Sequence, residues 1–272
     1  MTSKSENKIS WLFKTLFHFL VASARIFAYC LFKPRALGDL AFSLYSTVNE
    51  FFQVTHGKLA DFRETQTWKA MEAGKEFASV NYPNMDKKVM RPVEVQVLAA
   101  LTRHLNPRTV FEIGTYNGFT TFHFAHNMEA QAEIFTLDLP ADAALSSGQG
   151  KLSYDDKLVI ELSRKNIHNR IYRGTPQESK IAELFGDSRT FDYSPYLGRM
   201  DLVFIDGNHS GDYVRSDTEN AFRMLSPRGV VLWHDFDYVV HRDIFKYLNR
   251  LSRERKIYAI RDTRYAIYGQ DL

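Results

Sequence analysis

Thr109-Val-Phe-Glu112-Ile-Gly114-Thr-Tyr-Asn-Gly118-Phe-Thr-Thr121 is the stretch that decides the fold. A short apolar run, Thr109–Ile113, meets two glycines three residues apart, and a helical pattern over Thr120–Met128 follows. A strand turning sharply into a helix is the opening unit of a parallel α/β sheet. Gly114 and Gly118 permit a tight turn and let backbone amides approach a ligand closely. The spacing is not the GxGxxG of dinucleotide sites. Alone, the loop means only a strand followed by a glycine turn.

Working outward, four further apolar runs are closed by polar or glycine residues: Glu133–Leu137, Ile181–Phe185, Asp201–Ile205 and Gly229–Trp233. Helical patterns lie between most of them, at Tyr154–Lys165 and Asp212–Leu225, and another opens at Pro92 with Val93, Val97, Leu98 and Leu101 at helical spacing. Continuous apolar strands alternating with helices indicate a parallel sheet covered on both faces. Ile257–Ile260 and Tyr265–Tyr268 flank Arg261-Asp-Thr-Arg264 and read as a closing hairpin. The expected fold is a doubly wound, mostly parallel, seven-stranded Rossmann-like sheet ending in an antiparallel hairpin, with a helical N-terminal extension. The chain divides into a basic amphipathic arm over 1–35, a helical extension over 36–90 and an α/β domain over 91–272.

The charge distribution narrows the partners. Residues 1–35 carry six cations against Glu6 alone, a balance of +5, which leaves −2 for the other 237 residues of a chain totalling +3. The body is therefore not a basic nucleic-acid surface, and no nucleic-acid partner is expected. One cysteine, Cys30, excludes an internal disulfide framework and a cysteine-based zinc site. Residues 9–32 read as one helix with Ser10, Lys14, His18 and Arg25 on a narrow polar stripe. Lys14 and Arg25 interrupt the long apolar run that a membrane span needs, and Lys14 and His18 spoil a signal-peptide core. A cytoplasmic protein is expected. Its amphipathic helix lies on a membrane surface, on another subunit (a second copy included), or on its own domain, and all three readings stay open.

Ligands of open α/β sheets bind beyond the C-terminal strand ends. The second strand ends at Leu137-Asp138-Leu-Pro140, and an acid about twenty residues past a glycine loop suits ribose hydroxyls. After these features the resemblance becomes specific. Glu112–Thr121 resembles the first motif of class I S-adenosylmethionine (SAM)-dependent methyltransferases. Asp201-Leu-Val-Phe-Ile-Asp206-Gly-Asn-His209-Ser and Gly229-Val-Val-Leu-Trp-His234-Asp235 resemble the fourth and fifth strands of methyltransferase family 24, a branch that contains small-molecule and sugar O-methyltransferases. The resemblance covers roughly residues 90–268. It implies that Glu112, Gly114, Thr115, Asn117 and Gly118 hold the methionine part of SAM, Asp138 the ribose, and Asp187 and Ser188 the adenine. Gly211, where relatives commonly carry an aromatic, and Ser226-Pro-Arg-Gly229, in place of a Pro-Gly-Gly turn, depart from the pattern.

Methyl transfer from a sulfonium needs a nucleophile held about 3 Å from the methyl group, and a hydroxyl needs a base or metal as well. The catalytic candidates are Asp206, His209 and His234. Relatives that use a metal hold magnesium with carboxylates at these strand ends, so Asp206, His234 and Asp235 are the metal candidates. Magnesium suits the two carboxylates, whereas imidazole at His234 suits zinc, iron or manganese, or a general base. The acceptor implied is a small-molecule or sugar hydroxyl. Two alternatives stay open: a SAM-fold accessory protein without transferase activity, and a nicotinamide-dependent oxidoreductase, against which the missing GxGxxG and the closing hairpin argue. The Ala/Ser/Gly-rich stretch Ala141–Gly150 reads as a lid or as a surface loop.

Overall fold

The computed structural model describes residues 57–73, 90–142 and 154–272, together with Asn49. Residues 53–272 form one compact unit and residues 1–52 another. The expected helix over 9–32, most of the 36–90 extension and residues 143–150 of the expected lid lie outside the described residues.

Among the described residues one sheet contains β1 (Ala60–Asp61), β2 (Thr109–Ile113), β3 (Glu133–Asp138), β4 (Ile181–Phe185), β5 (Met200–Ile205), β6 (Leu225–Trp233), β7 (Tyr258–Ile260) and β8 (Tyr265–Gly269). Their order across the sheet is β1-β7-β8-β6-β5-β2-β3-β4. Every pairing is parallel except those of β8 with β6 and β7. The seven expected strands are all present, and β1 adds an eighth at the edge beside β7, with Ala60 opposite Tyr258. The helices are α1 (Gln66–Ala73), α2 (Pro92–Leu105), α3 (Phe119–Asn127), α4 (Tyr154–Asn166), α5 (Gly211–Met224) and α6 (Arg242–Leu251). None of the described helices is long and apolar enough to cross a membrane.

Strand periodicity explains the two-sided core. Val110, Leu202, Phe204 and Leu232 point to one face and pack with Leu98 and Leu101 of α2 and Phe124 of α3. Phe111, Val203, Ile205, Val231 and Trp233 point to the other and pack with Val214 of α5 and Leu248 of α6. Because both faces are covered, these strands carry apolar residues on both faces rather than at alternate positions alone. In α2 the buried face is Glu94, Val95, Leu98, Ala99, Leu101 and Thr102, so an acid lies among the apolar positions.

This topology positions a site. β2 has β3 on one side and β5 on the other, so the chain reverses direction across the sheet there, and a crevice opens beyond the strand ends. Backbone hydrogen bonds tie the loop starts side by side. Gly114 N donates to Leu137 O at 2.9 Å, Asp206 N to Ile113 O at 2.9 Å, and His234 N to Ile205 O at 3.0 Å.

Candidate active site

At the end of β2 the loop depends on glycine. Gly114 has φ +97°, and a Cβ there would run into the carbonyl oxygen of Asp206. Gly118, at φ +77°, begins α3 and lies directly against the ring of Tyr172. Glu112 is fully buried beneath this loop. Thr121 Oγ1 donates to its Oε2, as does Thr136 Oγ1 at 2.6 Å, while Oε1 is buried with no hydrogen-bond partner among the described residues. Burial, only partly offset by the two hydroxyls, pushes the Glu112 carboxyl up to about 8. Thr115 shares the cluster through a 2.6 Å contact between its hydroxyl and that of Thr136. The Asn117 side chain accepts from Phe119 N at 3.1 Å, a local role at the start of α3.

Asp138, at the end of β3, is held by more partners than its sequence context suggests. Its Oδ2 accepts from Ser163 Oγ at 2.6 Å and Arg170 Nη2 at 3.0 Å, and its Oδ1 from Leu139 N at 2.9 Å. Burial raises its pKa, against the pull of Ser163 and Arg170. A carboxylate has about four acceptor sites. The backbone N–H of Tyr116 donates to Asp138 as well, so all four are used, and each ribose contact would require a partner to yield. Arg170, buried and also paired with Glu183 at 3.2 Å, was not singled out from the sequence. Asp187 follows β4, where its Oδ2 accepts from Tyr213 OH at 2.9 Å and its Oδ1 from Arg189 N at 3.0 Å. The adjoining Ser188 carbonyl accepts from Tyr193 OH at 3.0 Å.

The remaining candidates gather at the ends of β5 and β6. His234 is almost fully buried, and its Nδ1 lies 3.0 Å from Asp206 Oδ1. A carboxylate can only accept there, so Nδ1 carries the proton. Burial opposes charge on this imidazole, but Asp235 and Asp206 outweigh it and push His234 up to about 10. Asp235 has φ +55°, a left-handed backbone that aspartate tolerates better than most residues. Its Oδ2 lies 3.0 Å from His209 Nε2, and its Oδ1 lies 2.6 Å from Arg264 Nη1 and 3.6 Å from His241 Nδ1.

Two contributors here escaped the sequence reading. Arg264, in the closing hairpin's turn, points inward and grips Glu94 through Nε to Oε1 and Nη2 to Oε2, both at 3.0 Å. Burial works against ionised Glu94, but His234 and Arg264 hold it well below the usual carboxylate range. Against a similar burial cost, His234 and Arg264 hold Asp235 well below that range too. His241, just before α6, is the second; burial lowers its pKa despite Asp235. A polar turn and an isolated histidine carry no local signal of such a role. Gly211, the expected departure from the substrate wall, starts α5 beside Asp243.

A family model described as a methyltransferase domain, the family 24 branch, matches residues 111–236. Those residues form a class I methyltransferase domain. The match runs from the residue before Glu112 to the residue after Asp235, and Glu94, His241 and Arg264 of the site lie outside it. The chain is also 28% identical over 145 residues to an uncharacterized protein of Sinorhizobium fredii, y4gI. That stretch is 52% of this chain and 14% of the relative, so the chain spans about a seventh of that protein's length. Among solved structures it is similar to an O-methyltransferase from Bacillus cereus in complex with S-adenosylhomocysteine (SAH). There the identity is 13%, the TM-score 0.45, and the coverage 84% of this chain and 99% of that one. TomG from Streptomyces achromogenes, an O-methyltransferase of tomaymycin synthesis in complex with SAM, gives 15% identity, a TM-score of 0.46, and 84% and 97% coverage. Likeness at this level does not carry an activity or an acceptor across to the methyltransferase domain.

Proposed function

We propose that this chain is a SAM-dependent O-methyltransferase acting on a small-molecule or sugar hydroxyl, with Glu112, Gly114, Thr115, Asn117, Gly118, Asp138, Asp187 and Ser188 forming the cofactor side. The observation that carries the proposal is the junction at Gly114. There the buried, half-satisfied carboxyl of Glu112 meets the strand end bearing Asp206 and His209. Oε1 of Glu112 has no donor among the described residues, which fits the ammonium group of an amino-acid moiety. The positive-φ glycines fit close approach of backbone to ligand. When bound, SAM supplies a methyl group on a positively charged sulfur.

The chain's own residues do the rest. Asp138 and Asp187 orient the nucleoside, and Glu112 anchors the amino-acid end. On the acceptor side the His209–Asp235 pair activates the hydroxyl, with His209 half-buried and its Nε2 fixed by Asp235. Asp206 keeps His234 charged, and His234 in turn holds Asp206 in place. Asp206, His234 and Asp235 place three ligand atoms within 4.8 Å of one another, yet they fit magnesium poorly. The proton on His234 Nδ1 already serves Asp206, so a charged imidazole stands where a ligand nitrogen would have to be. No step is assigned to magnesium.

The test is thermal unfolding with SAM, SAH and NAD in parallel. A ligand at about 100 times its Kd stabilises the fold by about 2.7 kcal/mol, a shift easily read. SAM and SAH are expected to shift the transition and NAD to leave it unmoved. A shift with NAD alone would overturn the proposal. On the acceptor side, His209→Ala is expected to lower kcat by about 10²–10⁴-fold with SAH binding retained.

A further inference from the structure

We infer that His209, Asp235 and His241 form a binding site for a borderline divalent first-row metal such as zinc or iron(II), one that does not take magnesium. Each residue offers a ligand atom, and the three atoms lie within 4.8 Å of one another. Zinc binds nitrogen and carboxylate oxygen at about 2.0–2.2 Å, so ligand atoms on a tetrahedron around it stand about 3.4 Å apart. The observed separations straddle that edge: 3.0 Å from His209 Nε2 to Asp235 Oδ2, and 3.6 Å from His241 Nδ1 to Asp235 Oδ1. The two imidazoles approach the carboxylate from one side, with ring centroids 4.3 Å apart. His241 Nδ1 is shielded from solvent and has no hydrogen-bond partner among the described residues, and a buried polar atom of that kind calls for a ligand.

The support behind the carboxylate is that of a metal centre. Asp235 is locked from the rear by Arg264, which Glu94 fixes with two further bonds, so its orientation is set before any ion arrives. His209 and His241 keep 23% and 17% of their side-chain surface exposed, which leaves one side of the cluster open to water or an acceptor oxygen. Two imidazoles with one carboxylate suit zinc, iron, cobalt or nickel, whereas magnesium prefers an all-oxygen shell. This site shares only Asp235 with the Asp206–His234–Asp235 group and excludes the protonated His234. It rests on the transfer proposal solely for its catalytic meaning: a metal there would be the means by which the His209–Asp235 pair activates a hydroxyl.

The experiment uses the full chain stripped with chelator and titrated with cobalt(II), followed by its visible absorption and by metal analysis after dialysis. One cobalt per chain is expected, displaced by zinc and unaffected by millimolar magnesium. His241→Ala should weaken cobalt binding on the order of 100-fold or more, while its thermal unfolding in metal-free buffer matches wild type. His234→Gln should retain the ion. Absence of cobalt binding by wild type, or binding that survives His241→Ala, would overturn the assignment. SAH binding measured by calorimetry on the same stripped protein reports separately on the transferase proposal, so the two can fail independently.

Discussion

Glu112 and Glu94 are both completely buried glutamates within one site, yet they are driven in opposite directions. Among the described residues Glu112 meets two threonine hydroxyls and no cation in contact, and burial raises it to about 8. Glu94 lies under Arg264 and beside His234, and those two positive groups hold it ionised. The β2–β3 half is thus built with an acid short of a donor, while the β5–β6 half is built with its charges already matched. Burial sets the size of the stakes, and the neighbours set the sign.

The largest expected effect comes from breaking the matched half. Arg264→Leu leaves Glu94 and Asp235 buried without their counter-charge, and loss of one partner from such a network costs about 3–5 kcal/mol. Urea denaturation measures it, and a loss below about 1 kcal/mol would show that the two halves do not differ as described. Next comes Gly114→Ala, which forces a side chain into a positive-φ position against the Asp206 backbone. Strain and overpacking together predict about 2–4 kcal/mol, read by the same denaturation curves. Asp138→Ala is expected to be milder for folding and to act on the ligand. Removing a charged hydrogen-bond acceptor should weaken SAH binding by about 1.5–3 kcal/mol in calorimetry. Unchanged affinity would mean that Arg170 and Ser163 fully occupy Asp138 and that the ribose lies elsewhere.

How legible each half was follows from the range of its interactions. The glycine loop, β3 and their acids lie within thirty residues of one another, Thr109 to Asp138, so composition and spacing exposed them. The central strands β2, β3, β5 and β6 were legible because a parallel strand buried on both faces writes a continuous apolar run, and the closing pair because two short runs flank a polar turn. β1, two residues long, has no periodicity to read. The contact between Arg264 and Glu94 spans 170 residues, and α2 read as an amphipathic helix with valines and leucines toward the core. Nothing local marks Glu94 as the buried partner of a hairpin arginine. His241 likewise joins His209 only because α6 packs against α5, and α6 itself went unread amid its charges.

The last test probes the unmatched half by pH, where the effect accrues in small steps. An unfolded glutamate titrates near 4.5, and Glu112 in the folded chain near 8. Below 4.5 both states hold the proton and Glu112 contributes nothing to the pH dependence. Between 4.5 and 8 only the folded state holds it, so stability falls as pH rises, by at most about 1.4 kcal/mol per unit. Above 8 both states have lost the proton and the slope vanishes. Asp217, buried and raised to about 7, adds a slope of the same sign over a lower window, so the wild-type curve alone does not isolate Glu112. The difference between wild type and Glu112→Gln does, because Gln keeps the acceptor for Thr121 and Thr136 and removes the proton. That difference, from denaturation midpoints between pH 5 and 8, should change steadily in favour of the variant. A flat difference would place Glu112 in the ionised state of Glu94, and the contrast between the two halves would collapse.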